Sequence, residues 1–207
     1  MPLSRRDILA KCMALGVVTT TTNLLPSVLA EAWELKETIR QLTPPDQLGP
    51  FYKRRAPGSN ALREPGDPGM PLVVSGKVLN TRGEAVPAAT IEIWQTDHLG
   101  LYDLAGYRYR AKLEANADGK YDFSSVMPGH YPARACQHVH YLVTAPGHKA
   151  LITQLYFATD PVFEGDPAKN FKHGDSPSLE LIRPVTLVGD PKDIHAAVQF
   201  ELVMGVL

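Results

Sequence analysis

The chain has 207 residues, enough for one domain with a buried core. Hydrophobic residues make up 44% and charged residues 21%, with a net charge of −1, which argues against nucleic acid or an anionic membrane as partner. Two cysteines, Cys12 and Cys136, exclude a disulfide framework.

Residues 1–30 read as a twin-arginine signal peptide. Arg5 and Arg6 precede a mildly apolar run from Met13 to Leu25, and Ala30 or Ala32 closes a small-residue cleavage site. The run is Thr-rich from Thr19 to Thr22 and too short to span a bilayer, so no stable membrane anchor is expected. The implied location is periplasmic or extracellular, reached by export of the folded protein.

Residues 31–71 read as one short helix over 33–43, stopped by Pro44 and Pro45, followed by a proline- and glycine-rich arm that wraps the domain. From residue 72 to 207 the signals are β. Strands are predicted at Leu72–Asn80, Ala89–Thr96, Lys120–Val126, Gln137–Ala145, Ile152–Ala158, Arg183–Val188 and His195–Val203. Turns fall at Thr81–Glu84, Asn116–Gly119 and Pro128–Gly129. Residues 159–182 form a long polar loop of the kind that often serves as a lid. The fold class is all-β, an antiparallel sandwich with long active-site loops.

Four side chains carry the chemistry: Tyr102, Tyr131, His138 and His140. A phenol is a hard oxygen donor that titrates near pH ~10 when free, so its ionisation near neutrality needs a strongly Lewis-acidic cation. Imidazole suits first-row transition metals. Two phenolates with two imidazoles therefore point to Fe(III), one per chain. His138 and His140 lie at i and i+2 of a strand, on one face and roughly 7 Å apart at about 3.3 Å per residue.

Five segments in order resemble the intradiol ring-cleavage dioxygenases, non-haem ferric enzymes of the catechol and protocatechuate type. They are Gly49-Pro50-Phe51-Tyr52; Ile93-Trp94-Gln95-Thr96-Asp97 with Gly100-Leu101-Tyr102; Asp118–Phe123 with Pro128–Pro132; Gln137-His138-Val139-His140-Tyr141; and Leu151–Phe157. The resemblance runs from about Leu48 to Phe200 and implies a prealbumin-like sandwich. It implies that Tyr131 and His140 are axial ligands, and that Tyr102 and His138 are equatorial. A catechol-type diol would bind as a dianion and react with O2 to give a muconate-type diacid. Tyr131 would accept a proton, Arg134 would stabilise developing charge, and Gln154 would assist by hydrogen bonding. Gln47 and Pro50 fall where the family's substrate-pocket wall arises. Arg134 lies four residues before His138, where the family usually has three. The region before the sandwich is too short for the helical dimerisation segment of the catechol-type members, and an oligomer formed another way stays open. Two rivals belong to other classes: a non-catalytic, carboxypeptidase-regulatory-like binding module, and a copper-type extracytoplasmic sandwich enzyme. The first leaves His138, His140 and Gln154 without a purpose. The second needs further His and Asp ligands.

Overall fold

The structure, a computed structural model, describes residues 39–132, 134 and 136–207. Ten strands form two facing sheets. The first contains β1 (Pro71–Asn80), β4 (Lys120–Val126), β8 (Thr186–Val188), β9 (His195–Gln199) and β10 (Leu202–Met204). The second runs β3 (Arg110–Glu114), β2 (Thr90–Trp94), β5 (His138–Thr144), β6 (Leu151–Phe157), β7 (Ile182–Arg183). Between β7 and the start of the loop after β6 lie three short 3-10 turns and one helical turn, α1 (Pro167–Asn170). Among the described residues no helix is long and apolar enough to cross a membrane.

The all-β sandwich predicted from the sequence is what forms. Its strand pairing is mixed rather than purely antiparallel: β1 runs parallel to β9 and β10, and β6 parallel to β7. Leu72 pairs with Ala196 and Val78 with Leu202, so β9 and β10 continue one register along one edge of β1. The single predicted strand at Arg183–Val188 is in fact two, one in each sheet. Pro184 has no N–H to give to a ladder, and the chain changes sheets there.

Alternation fixes which face is core. Leu72 and Val74 of β1, Tyr121 and Phe123 of β4, and Val139, Tyr141 and Val143 of β5 are buried together. Tyr141 sits edge-on to Tyr121, Phe123 and Phe200, with ring centroids 6.4, 6.4 and 5.2 Å away. Each fully buried side chain of this size contributes roughly 1.5–3 kcal/mol.

Residues 39–43 are not helical. Thr43 N–H donates to Val203 O, and Val203 N–H donates back to the Thr43 hydroxyl. Bonding to the distant C-terminal segment of the same chain replaces the intrahelical bonds a helix would need. The remainder of the predicted helix, residues 33–38, and the predicted signal lie outside the described residues. Beyond Thr43 the arm does wrap the sandwich. Asp46 N–H reaches Ile152 O on the β6 edge, the Pro57–Ser59 stretch pairs with Lys112 on the β3 edge, and Asn60–Leu62 pairs with Ser124 on the β4 edge. Open strand edges are thereby covered.

Candidate metal centre

The site lies on the face of the second sheet away from the core. The β5 and β6 register sets His138 opposite Tyr156 and His140 opposite Gln154, while β2 sets Trp94 opposite His140. Alternation therefore puts all five side chains on one face. Both histidines are buried, and their rings lie 4.8 Å apart.

Tyr102 and Tyr131 come from two loops that meet backbone to backbone. Asp97 organises the first: its carboxylate accepts from the N–H groups of Leu99 and Leu101, and its carbonyl accepts from Gly129 of the second. Gly100 makes the approach feasible, because a Cβ there would lie 1.7 Å from His130 O. The Tyr102 hydroxyl ends 3.4 Å from His138 Nε2, and the two tyrosine rings stand 5.8 Å apart, edge to face. Phe51 stacks on Tyr102 at 4.2 Å and meets Tyr131 edge-on at 5.7 Å. The four donors named from the sequence are thus brought together from three segments.

The surroundings favour the neutral, metal-binding form of the two histidines. His138 Nδ1 lies 2.9 Å from Cys136 O, which fixes the tautomer with Nε2 free toward Tyr102. Burial pushes His138 down to about 4 and His140 well below the ordinary histidine value, so both rings are neutral. His140 stacks on Trp94 at 4.9 Å and 3°, and the Gln47 main chain lies nearby without bonding Nδ1 in good geometry. Burial, then the neighbouring Tyr131, pushes Tyr102 above the usual phenol value. A phenolate at that position needs a strong cation beside it, which is what a ferric ion provides. The donor set fits that ion. Among the described residues no three His, Cys, Asp or Glu side chains converge on a metal position, so they do not form the ligand set a copper-type sandwich needs.

Arg134 reaches the site despite its shifted spacing. Its Nη2 donates to Gln154 Oε1 at 3.0 Å and to the Tyr156 hydroxyl at 2.8 Å. Gln154 Nε2 donates to Gln47 O at 2.8 Å, and the Tyr156 hydroxyl donates to Asp46 Oδ2 at 2.6 Å. Gln47 and Arg134 line a cavity of about 440 Å³ with Lys172, Asp175 and Ser176. A larger cavity, about 560 Å³, opens on the other sheet around Lys77, Tyr121 and Phe200 and contains none of the four donors. Pro50 is exposed at a turn, whereas its neighbours Gly49 and Phe51 touch His140 and Tyr102.

Sequence reasoning missed several supports. Arg110 is buried beneath Tyr102, 5.8 Å from the ring centroid, and its Nη1 donates to Phe51 O at 2.6 Å. Asp160 is a buried carboxylate that accepts from Gln137 N–H at 2.7 Å and Val162 N–H at 2.9 Å, and pairs with His130 Nε2 at 2.9 Å. It ties the loop of Tyr131, the start of β5 and the polar loop together. Asp160 immediately before Pro161 has the sequence form of a turn cap, but its partners Gln137 and His130 leave no local signal. Tyr109 is buried, and its hydroxyl donates to Asp67 Oδ2 at 3.1 Å.

The chain is similar to known proteins in both sequence and fold. The model of a family described as dioxygenase matches residues 48–205. The chain is 31% identical over 175 residues to catechol 1,2-dioxygenase 2 of Acinetobacter lwoffii, covering 70% of this chain and 62% of that one. It is 29% identical over 202 residues to hydroxyquinol 1,2-dioxygenase of Corynebacterium glutamicum, covering 82% and 65%. The chain therefore spans less than two thirds of the length of these curated relatives. Among solved structures, the dioxygenase domain of a dioxygenase carbohydrate-binding protein fusion from Streptomyces sp. SirexAA-E superposes with a TM-score of 0.69 at 30% identity, covering 81% of this chain and 100% of that one. Catechol 1,2-dioxygenase of Acinetobacter radioresistens shares the fold, with a TM-score of 0.70 at 22% identity over 88% and 69% of the two chains. With four donors converging on one face of the sandwich and a family match over most of its length, the chain belongs to the intradiol ring-cleavage dioxygenases.

Proposed function

We propose that this protein is a ferric dioxygenase that opens a catechol-type diol between its two hydroxyls, placing both atoms of O2 in a muconate-type diacid. The observation that carries the reading is the donor quartet, with the Tyr102 hydroxyl 3.4 Å from a His138 Nε2 whose ring is fixed by Cys136. A binding module has no use for such a buried set. Fe(III) would be held by Tyr102, Tyr131, His138 and His140, and when bound it supplies the Lewis acidity that ionises the phenols and activates the diol for reaction with O2.

The chain's own residues do the rest. Both phenols are half-buried, but Tyr102 is stacked on Phe51 with Arg110 beside its ring, so Tyr131 is the phenol placed to take a substrate hydroxyl proton. Arg134 points a fixed cation across the site, held by Gln154 and Tyr156, where negative charge develops on the ring. Gln154 is held by the Gln47 carbonyl with its own carbonyl toward Arg134, so its role is to orient that cation. Phe51 and Trp94 wall the donors from bulk water. We further propose that Arg5 and Arg6 direct export of the folded chain.

The test is metal content, colour and product. The purified protein is expected to carry about one iron per chain with a visible phenolate-to-iron band that shifts in Tyr102→Phe and Tyr131→Phe. Catechol is expected to give the diacid. A yellow semialdehyde product, or a colourless protein filled with zinc or copper, sinks the reading.

A further inference from the structure

We propose that Asp160 is a positioning residue of the metal centre: its carboxylate clamps His130 and Gln137 and so sets Tyr131 and His138 relative to one another. This rests on the ferric ring-cleavage reading above. Asp160 lies buried just after β6. It caps the 3-10 turn Pro161–Phe163, where its Oδ1 accepts from Val162 N–H at 2.9 Å. A cap needs one acceptor, and a serine hydroxyl supplies one without burying a charge. Ser178 does so at the turn Leu179–Leu181. A buried carboxylate is unfavourable unless its remaining lone pairs are also bonded. Among the described residues no Lys or Arg pairs with Asp160. The charge is surplus to capping, and its other bonds show where it acts.

Both of those partners stand one residue before a metal donor. Oδ2 accepts from Gln137 N–H at 2.7 Å, and Gln137 precedes His138. The same oxygen meets His130 Nε2 at 2.9 Å, and His130 precedes Tyr131. An ionised carboxylate only accepts, so His130 Nε2 carries the proton. Because the two N–H groups share one oxygen, the chain at Tyr131 and the chain at His138 cannot separate without breaking a charge-assisted bond.

The clamp reaches further. The Gln137 side chain donates to Pro128 O at 2.7 Å, a second tie between the start of β5 and the Tyr131 loop. Gly129 N–H donates to Asp97 O at 2.7 Å, and His130 O packs against Gly100, so the Tyr102 loop is held by the same segment. His138 has its own bond to Cys136 O. Tyr131 is half-buried and meets Phe51 and Tyr102 edge-on, so its place depends on the backbone that the clamp holds.

The test turns on His130, whose side chain is 46% exposed, so replacing it leaves the core and the turn cap in place. His130→Ala removes the bond to Asp160, whereas His130→Gln keeps an N–H at similar reach. Three quantities are read: the visible phenolate-to-iron band, the rate at which a chelator strips iron, and the thermal midpoint. We expect His130→Ala to shift the band and to release iron about tenfold faster, the lower end of what outer partners of metal ligands contribute. Its midpoint should stay near that of the wild type, and His130→Gln should restore band and release. With a diol, kcat should fall while KM holds, because neither residue touches substrate. Asp160→Ala should release iron at least as fast, and adding His130→Ala to it should change nothing further. The two His130 variants decide the matter even where Asp160→Ala fails to fold. A His130→Ala variant with wild-type band and release overturns the proposal, as does a His130→Gln variant no better than His130→Ala. Coloured, iron-loaded protein that opens no diol but still depends on His130 leaves the positioning in place and defeats the ring-cleavage reading. Ring opening with no dependence on His130 does the reverse, and a wild type that takes up no iron defeats both.

Discussion

His140 shows how tightly single residues are matched at the centre. Its ring lies parallel to Trp94 on one strand and against Gly49 of the arm. Gly49 has φ +72, a conformation that costs an L-residue about 1–2 kcal/mol, and a Cβ there would stand 3.0 Å from His140 Cε1. Gly49→Ala is therefore expected to lower stability by about 1–2 kcal/mol and to tilt the imidazole away from its neighbours. Two readings check this together: a lower thermal midpoint, and a lower iron occupancy at fixed iron supply. A variant that melts and loads like the wild type would show that the arm does not set the ring's position. That Tyr102, Tyr131, His138 and His140 meet was legible from residue chemistry and spacing. Arg110 and Asp46 were not, because their partners Phe51 and Tyr156 lie 59 and 110 residues away along the chain.

At the scale of elements, β5 is unusual in being buried on both faces. Val139, Tyr141 and Val143 face the core, while His138 and His140 face the arm and loops. Two imidazoles are held there in the neutral form, and that has a pH consequence for the iron-free protein. A histidine whose pKa is depressed by folding binds more protons when unfolded, so its contribution is intact above the free value of 6.5 and is lost as pH falls. For His138 the loss spans 6.5 down to about 4, worth about 3 kcal/mol once complete. The urea midpoint of iron-free protein should thus fall steadily between those values, and His138→Phe should flatten part of the slope. A midpoint flat across this window contradicts burial of neutral rings. The alternation that makes β5 recognisable also explains what was missed elsewhere. β3 alternates only over five residues and exposes Lys112 and Glu114, so its pattern is weak. The switch between sheets at Pro184 and the pause between β9 and β10 depend on which neighbour is available, which no local pattern carries.

At the scale of the whole molecule, the donors come from three segments, around Tyr102, around Tyr131 and on β5, that meet only when the sandwich has closed. Metal binding therefore follows folding. A chain threaded outward unfolded would fold amid whatever metal the receiving compartment offers, and imidazole sites bind Cu and Zn more tightly than Fe(II). Folding and loading before export removes that competition, and Arg5 and Arg6 are the residues proposed to select such a route. Replacing both with lysine should leave iron-loaded, active protein in the cytoplasm with residues 1–30 still attached. Fractionation, mass spectrometry of the N-terminus and iron analysis read the three parts separately. If the Lys-Lys variant is exported and processed as the wild type is, Arg5 and Arg6 do not choose the route. If it stays inside but carries zinc or no metal, the order of loading before export is wrong even though the signal is right.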